Sequence, residues 1–213
     1  MDDPPSTTEF LELWPTLLMR DRLPGCEDAN RALESEILRI DSEHSDLTTD
    51  YLSGNLLIQE HPAISWLREC INQATIVYIR RLGIDYQLDW QLQGWANVNR
   101  FGDYHNLHNH PHAWLSGTYY VAVPDTSEPL AGRQDRNPGA ISFYDPRAQA
   151  NMGAIRGDGQ VEAEHRILPE AGCLLIWPAF LHHMVHPNLS REARISVSFN
   201  VVLRWSEKYL PKQ

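Results

Sequence analysis

Two histidine clusters about seventy residues apart carry the most explicit chemistry in this chain. They are Tyr104-His105-Asn106-Leu107-His108-Asn109-His110-Pro111-His112 and His182-His183-Met184-Val185-His186, and together they hold seven of the ten histidines. Neutral imidazole is the commonest protein ligand for first-row metals near neutral pH. His108 and His110 are two apart, and alternate side chains of a strand share a face, so both can reach one ion. His183, arriving from a second strand, completes a facial set of three. That set leaves the other positions of an octahedral ion open to substrate, cosubstrate or dioxygen. Spacing alone keeps His105 and His112 as competitors, whereas His182 and His186 fall on the opposite face of an extended segment from His183.

A second signal lies eleven residues beyond His183, where a segment alternates Ile195, Val197, Phe199 and Val201 with Arg194, Ser196, Ser198 and Asn200. One face of that strand is apolar and the other is polar throughout. A polar face headed by an arginine, inside the core-building part of a chain, suits the lining of a wet pocket that receives an anion. A guanidinium offers a carboxylate two parallel hydrogen bonds, which an ammonium cannot match.

These residues need a scaffold that brings separate strands together. Residues 88–101, 113–123, 139–144, 161–168, 172–177, 181–186 and 194–203 are short and rich in β-branched and aromatic residues, with Gly, Pro, Asn and Asp between them. Seven or eight such strands predict a mainly β fold of jelly-roll type. Upstream, helical spacing marks residues 27–40 and 62–82, the second opened by His61-Pro62 and closed near Gly83. The helices are expected to brace one sheet from outside. Residues 9–20, with Trp14-Pro15, read as a short edge strand, and 41–60 as a loop. Residues 1–213 read as one domain, with 1–86 bracing a core formed by 87–205.

The chain has 213 residues, a net charge of −10, 42% hydrophobic residues and seven tryptophans. That is ample for a core, and the acidic balance argues against nucleic acid or an anionic membrane as partner. Cys26, Cys70 and Cys173 have no disulfide or zinc pattern, and no signal peptide or membrane span is visible, so a cytoplasmic setting is expected. The edge strand leaves a homodimer open. Arg133, Arg136, Arg147 and Arg156 fall in the loops 124–138 and 145–160, where they could meet an acidic substrate.

Several stretches, in order, resemble the Fe(II)/2-oxoglutarate-dependent oxygenases, specifically their prolyl-hydroxylase-like branch. They are Trp95-Ala96-Asn97-Val98-Asn99, His108-Asn109-His110-Pro111, Ser116-Gly117-Thr118-Tyr119-Tyr120-Val121, Phe143-Tyr144-Asp145-Pro146-Arg147, Gly172-Cys173-Leu174-Leu175-Ile176-Trp177-Pro178, and His183-Met184-Val185-His186-Pro187-Asn188 leading to Arg194-Ile195-Ser196. The resemblance implies a double-stranded β-helix that binds Fe(II). It implies 2-oxoglutarate and O2 as cosubstrates and hydroxylation of an unidentified small molecule or protein. It maps His108 and His183 onto iron ligands and Arg194 onto the anchor of the far carboxylate of 2-oxoglutarate. Tyr120 matches a tyrosine holding the same carboxylate, and Ser196 follows from the Arg-x-Ser pattern.

The chain departs from the family at His110, which stands where an Asp or Glu is usual. Three neutral imidazoles leave the metal one unit more positive than two histidines and a carboxylate. Two alternatives therefore stay open: a three-histidine cupin-type dioxygenase or isomerase that does not use 2-oxoglutarate, and a catalytically silent barrel that binds a metal or an anion. Asp103 is an outlying acidic candidate.

Overall fold

The computed structural model describes residues 13–43, 54–125, 137–147 and 162–204. It runs β1 (Met19–Arg22), α1 (Cys26–Glu43), a 3-10 turn (Leu56–Ile58), α2 (Pro62–Arg81), β2 (Trp90–Asn99), β3 (His105–His108), β4 (Leu115–Ala122), β5 (Ile141–Tyr144), β6 (Glu164–Ile167), β7 (Cys173–Pro178), β8 (His183–Val185) and β9 (Arg194–Leu203). Five strands form one antiparallel sheet in the order β1-β7-β4-β9-β2, and four form a second in the order β3-β8-β5-β6. From β2 to β9 the chain passes repeatedly between the sheets, which is the winding of a double-stranded β-helix.

Both helices lie where their periodicity puts them. In α2, Ile64, Leu67, Ile71 and Tyr78 form one buried stripe. Pro62 starts the helix, where a missing N–H costs nothing. Gly83, at φ 74°, ends it, with Gly83 N donating to the carbonyl of Arg80 and Ile84 N to that of Ile79. That pair of bonds needs a left-handed residue at Gly83. Leu33 and Ile37 of α1 join the stripe against the outward side chains of the five-stranded sheet: Val98, Tyr119, Leu174, Ile176, Val197 and Phe199. A second cluster fills part of the space between the sheets and includes Ile141, Phe143, Leu175, Trp177 and Leu181.

Three local expectations need correction. The edge strand is Met19–Arg22, at and beyond the end of 9–20, because its pairing with Cys173–Ile176 sets its limits. Of the stretch 41–60, read as loop, residues 41–43 belong to α1, Asn55 caps a 3-10 turn by accepting from Leu57 N, and residues 44–53 lie outside the described residues. Periodicity also overlooked β3, a strand too short and polar to show alternation. Most of the two long loops, with Arg133, Arg136 and Arg156, lies outside the described residues; Arg147 pairs with Asp145. Among the described residues no helix is long and apolar enough to cross a membrane.

Candidate metal centre and anion pocket

β3 and β8 bring the two histidine clusters together. His105 pairs with Val185 and His108 with His183, so three residues of β3 span what two span on β8. The extra residue is a bulge, and it turns His108 onto the face of His183. His110 arrives differently from the expected strand alternation. β3 ends at His108, and His110 sits in the following turn, its N–H donating to Ala179 O at 2.9 Å and its carbonyl accepting from Ala113 N at 3.1 Å. A turn tied to the β7–β8 connection therefore joins His110 to the other two.

One ring nitrogen from each of His108, His110 and His183 lies within 4.8 Å of the others. Ring centroids are 4.2 Å apart for His108–His183, 5.2 Å for His108–His110 and 5.3 Å for His110–His183. His108 Nδ1 is 2.6 Å from Asn106 O, and His183 Nδ1 is 3.0 Å from Leu181 O. A carbonyl only accepts, so each Nδ1 carries the proton and each Nε2 keeps its lone pair for a metal. Burial, with help from His108, pushes His110 down to about 4 and His183 to about 3. Both are thus neutral, ligand-ready imidazoles at physiological pH.

The other candidates are engaged elsewhere. Exposed His112 and His182 stand outside the set. His105 shares a 3.2 Å hydrogen bond with Asn99, and His186 Nε2 is 2.7 Å from Ser142 Oγ. The Asp103 carboxylate closes a turn by accepting from Arg100 N at 2.7 Å. Among the described residues these three imidazoles form the only such group of His, Cys, Asp or Glu.

Arg194 lies on the inner face of the five-stranded sheet and is 1% exposed. Its Nη2 donates to Asn99 Oδ1 at 2.8 Å and its Nη1 to Gly139 O at 3.4 Å, while Nε is buried without a partner. No carboxylate among the described residues pairs with it. Burial lowers its pKa, and the Asp103 carboxylate opposes that shift. A buried guanidinium without a counter-ion is costly, so this site suits a bound anion.

Tyr120, 2% exposed, stands opposite Ser196 in the β4–β9 register. Burial raises its pKa, so its hydroxyl stays a donor. Asn200 is six residues along β9 from Arg194, about 20 Å at strand rise, and accepts from Ser116 Oγ at 2.9 Å. Ser116 is paired with Trp177, whose ring lies 4.8 Å from His183. Asn200 thus belongs to the histidine end and not with Arg194, a separation that sequence alternation cannot show.

Three inner-face residues were not singled out as site residues from sequence: Asn97, Asn99 and Trp177. Asn97 Oδ1 and Trp177 Nε1 are, like Arg194 Nε, buried without partners. A signal existed. Trp95, Asn97 and Asn99 alternate with Ala96 and Val98, and two asparagines on one face of a core strand mark a polar interior.

Comparison with known proteins gives a consistent result. No curated protein matches the chain in sequence. The Pseudomonas putida prolyl-4-hydroxylase shares 18% identity and a TM-score of 0.58, over 88% of this chain and 88% of that one. The Trichoplax adhaerens prolyl hydroxylase, in complex with a hypoxia inducible factor oxygen degradation domain peptide fragment, shares 14% and 0.59, over 87% and 83%. HygX from Streptomyces hygroscopicus, with nickel and 2-oxoglutarate bound, shares 12% and 0.54, over 88% and 82%. At these identities the likeness is one of fold, the double-stranded β-helix. The family model described as "Putative 2OG-Fe(II) oxygenase" matches residues 93–200, from β2 through the histidine set and Arg194 to Asn200, and the chain belongs to that 2OG-Fe(II) oxygenase family.

Proposed function

We propose that His108, His110 and His183 hold the Fe(II) of this 2-oxoglutarate-dependent oxygenase, and that Arg194, with Tyr120 and Ser196, receives the far carboxylate of 2-oxoglutarate. Membership of the family sets aside the cupin-type and silent-barrel alternatives. The observation that carries the assignment is the shared interior: three convergent imidazoles toward one end of the barrel and a buried, uncompensated guanidinium toward the other. The bound ligand of HygX is in keeping with it.

Bound there, the iron supplies the oxygen chemistry that couples oxidative decarboxylation of 2-oxoglutarate, to succinate and carbon dioxide, with hydroxylation of the substrate. The protein supplies position. The Asn106 and Leu181 carbonyls fix the tautomers of His108 and His183. Arg194, held by Asn99, presents its fork to the carboxylate, and the neutral Tyr120 hydroxyl donates beside it. Phe143 and Trp177 pack against His183 and, with Leu175 and Leu181, exclude water beside the histidine set, which strengthens the contacts made there.

Three free cysteines support a cytoplasmic setting. Residues 1–213 are read as one unit, in keeping with β1 pairing into the same sheet as β7. Arg20, Asp21 and Arg22 put charge on the β1 edge, which disfavours edge pairing and argues against a homodimer formed there.

The test is anaerobic Mn(II) or Fe(II) titration of single alanine variants. Alanine at His108, His110 or His183 should remove most metal binding, whereas His105→Ala, His112→Ala and His186→Ala should keep it. Loss of metal in His105→Ala with retention in His110→Ala would overturn the ligand set.

A further inference from the structure

Asn200 belongs to the polar face of β9 but takes no part in the anchor around Arg194. The strand register shows what it stands beside. Gln93 lies opposite Asn200, Asn200 opposite Ser116, and Ser116 opposite Trp177. All four are on the inner face, so four neighbouring strands present one row of hydrogen-bonding side chains across the cavity wall, about 14 Å long at strand spacing. Its level is set at both ends. The Trp177 ring packs 4.8 Å from His183. Trp95, the next inward residue of β2 toward Arg194, packs 5.9 Å from the His110 ring. The row therefore runs beside the histidine set, on the side away from Arg194. A 2-oxoglutarate stretched from the metal to Arg194 covers the levels of Ser198 and Ser196 and leaves this row to the second substrate.

The chemistry of the row is neutral. Ser116 Oγ donates to Asn200 Oδ1 at 2.9 Å. The Asn200 NH2 and the Gln93 amide are left without a hydrogen-bond partner among the described residues, and Trp177 Nε1 is buried without an acceptor. None of the four side chains is charged, nor are Trp95, Ser198, Thr118 and Leu175, which form the next row. Neither row offers a counter-charge to a charged substrate group. The Gln93 amide supplies an acceptor as well as donors, and the Asn200 NH2 and the Trp177 N–H supply donors. Such a mixture suits hydroxyl groups, each of which both donates and accepts. An extended peptide pairs with an exposed strand edge, which a row crossing the face of a sheet does not provide.

We propose that Gln93, Asn200, Ser116 and Trp177 form the substrate-recognising row of this oxygenase, and that the group they place beside the metal is uncharged and hydroxyl-rich, as in a neutral glycoside. This rests on the ligand and anchor assignments above. The row fixes the orientation of the substrate through its hydroxyls, and half-exposed Trp95 adds an apolar surface on the His110 side for the C–H groups of the same ring. A site built to hydrogen-bond hydroxyls discriminates strongly against an analogue that lacks them.

Mn(II) at the histidine set speeds the relaxation of protons held near it, so nuclear magnetic resonance reads even weak binding there. Wild-type protein loaded with Mn(II) and 2-oxoglutarate is mixed in turn with a panel of methyl glycosides and neutral disaccharides, with glucuronate, and with a capped alanine tripeptide. Relaxation should rise for at least one neutral sugar and not for glucuronate or the peptide. Gln93→Leu, Asn200→Leu and Trp177→Phe should each weaken that sugar about fivefold, the worth of one neutral hydrogen bond. Gln93 is half-buried on an edge strand, so its variant decides the matter should Asn200→Leu disturb folding. Calorimetry should show Mn(II) and 2-oxoglutarate affinities unchanged in the Gln93 and Asn200 variants. Glucuronate or the peptide relaxed as strongly as the sugars, or no probe relaxed at all, overturns the proposal. So does a sugar held equally well by the wild type and the variants. A wild type that binds Mn(II) but not 2-oxoglutarate contradicts the anchor assignment instead, and the sugar relaxation still judges the row.

Discussion

The outward side chains of β9, Ile195, Val197, Phe199 and Val201, are each 1% exposed or less, and the alternate residues Arg194, Ser196, Ser198 and Asn200 face inward. Burial does not distinguish the faces at Arg194, which is also 1% exposed. What differs is the partner. Outward side chains meet α1 and α2 and lose water for good. Inward ones meet each other, and Arg194 Nε keeps an unfilled hydrogen-bonding position, as do Asn97 Oδ1 of β2 and Trp177 Nε1 of β7 on the same face of the sheet. One face of the sheet therefore stabilises the fold, and the other is organised for a ligand.

The largest expected effect comes from the outward face. Phe199, 0% exposed, lies over Gly117, where a Cβ would sit 2.2 Å from the Phe199 ring. Phe199→Ala should cost roughly 3–5 kcal/mol in denaturant unfolding, as other buried aromatic truncations do. The 2-oxoglutarate affinity of the folded fraction should stay unchanged. A cost under about 1 kcal/mol would break the comparison from its stabilising side.

The cavity should announce itself through pH. His183 is pushed down to about 3, and His110 and His105 to about 4, in each case chiefly by burial. Their unfolded value is near 6.5, so protons bind the unfolded chain more tightly. Their contribution is complete above about pH 6.5 and is lost as pH falls toward 4, by on the order of 1.4 kcal/mol per titrating group per pH unit. Calorimetric melting of metal-free protein between pH 7 and 5 should show this slope, and His183→Leu should flatten it. An unchanged slope in that variant means the cavity imidazole is not held neutral by the fold.

A pair of neighbouring tyrosines gives the smallest and sharpest contrast. Tyr119 points outward and donates to Asn30 Oδ1 at 2.6 Å, whereas Tyr120 points inward, opposite Ser196. Tyr119→Phe should lower stability by about 1 kcal/mol, a typical hydrogen bond, and leave 2-oxoglutarate binding alone. Tyr120→Phe should do the reverse, in paired unfolding and titration experiments. Equal effects of the two substitutions on either property would blur the distinction between the faces.

Alternation and helical spacing made the scaffold legible, because the strands and both helices each have one face that must be apolar. The polar face of β9 was readable for the same reason. His110 was read as a strand neighbour of His108, but a bulge in β3 and a turn bring the rings together. Neither leaves a mark in residue spacing. Asn200 looked equivalent to Ser196 because period two shows which face a residue takes but not how far along the barrel it lies. Trp177 escaped notice because a tryptophan in an apolar strand reads as core, and only its unpartnered N–H distinguishes it.

The central claim is that the inward face receives 2-oxoglutarate between the histidine set and Arg194. Calorimetric titration of Mn(II)-loaded wild type and Arg194→Met with 2-oxoglutarate tests it most directly. Removing one partner of a buried charged contact costs roughly 2–5 kcal/mol, so the variant should bind at least about thirtyfold more weakly. Its Mn(II) affinity should be unchanged, since no imidazole is altered. Equal 2-oxoglutarate affinity in the two proteins would contradict the account.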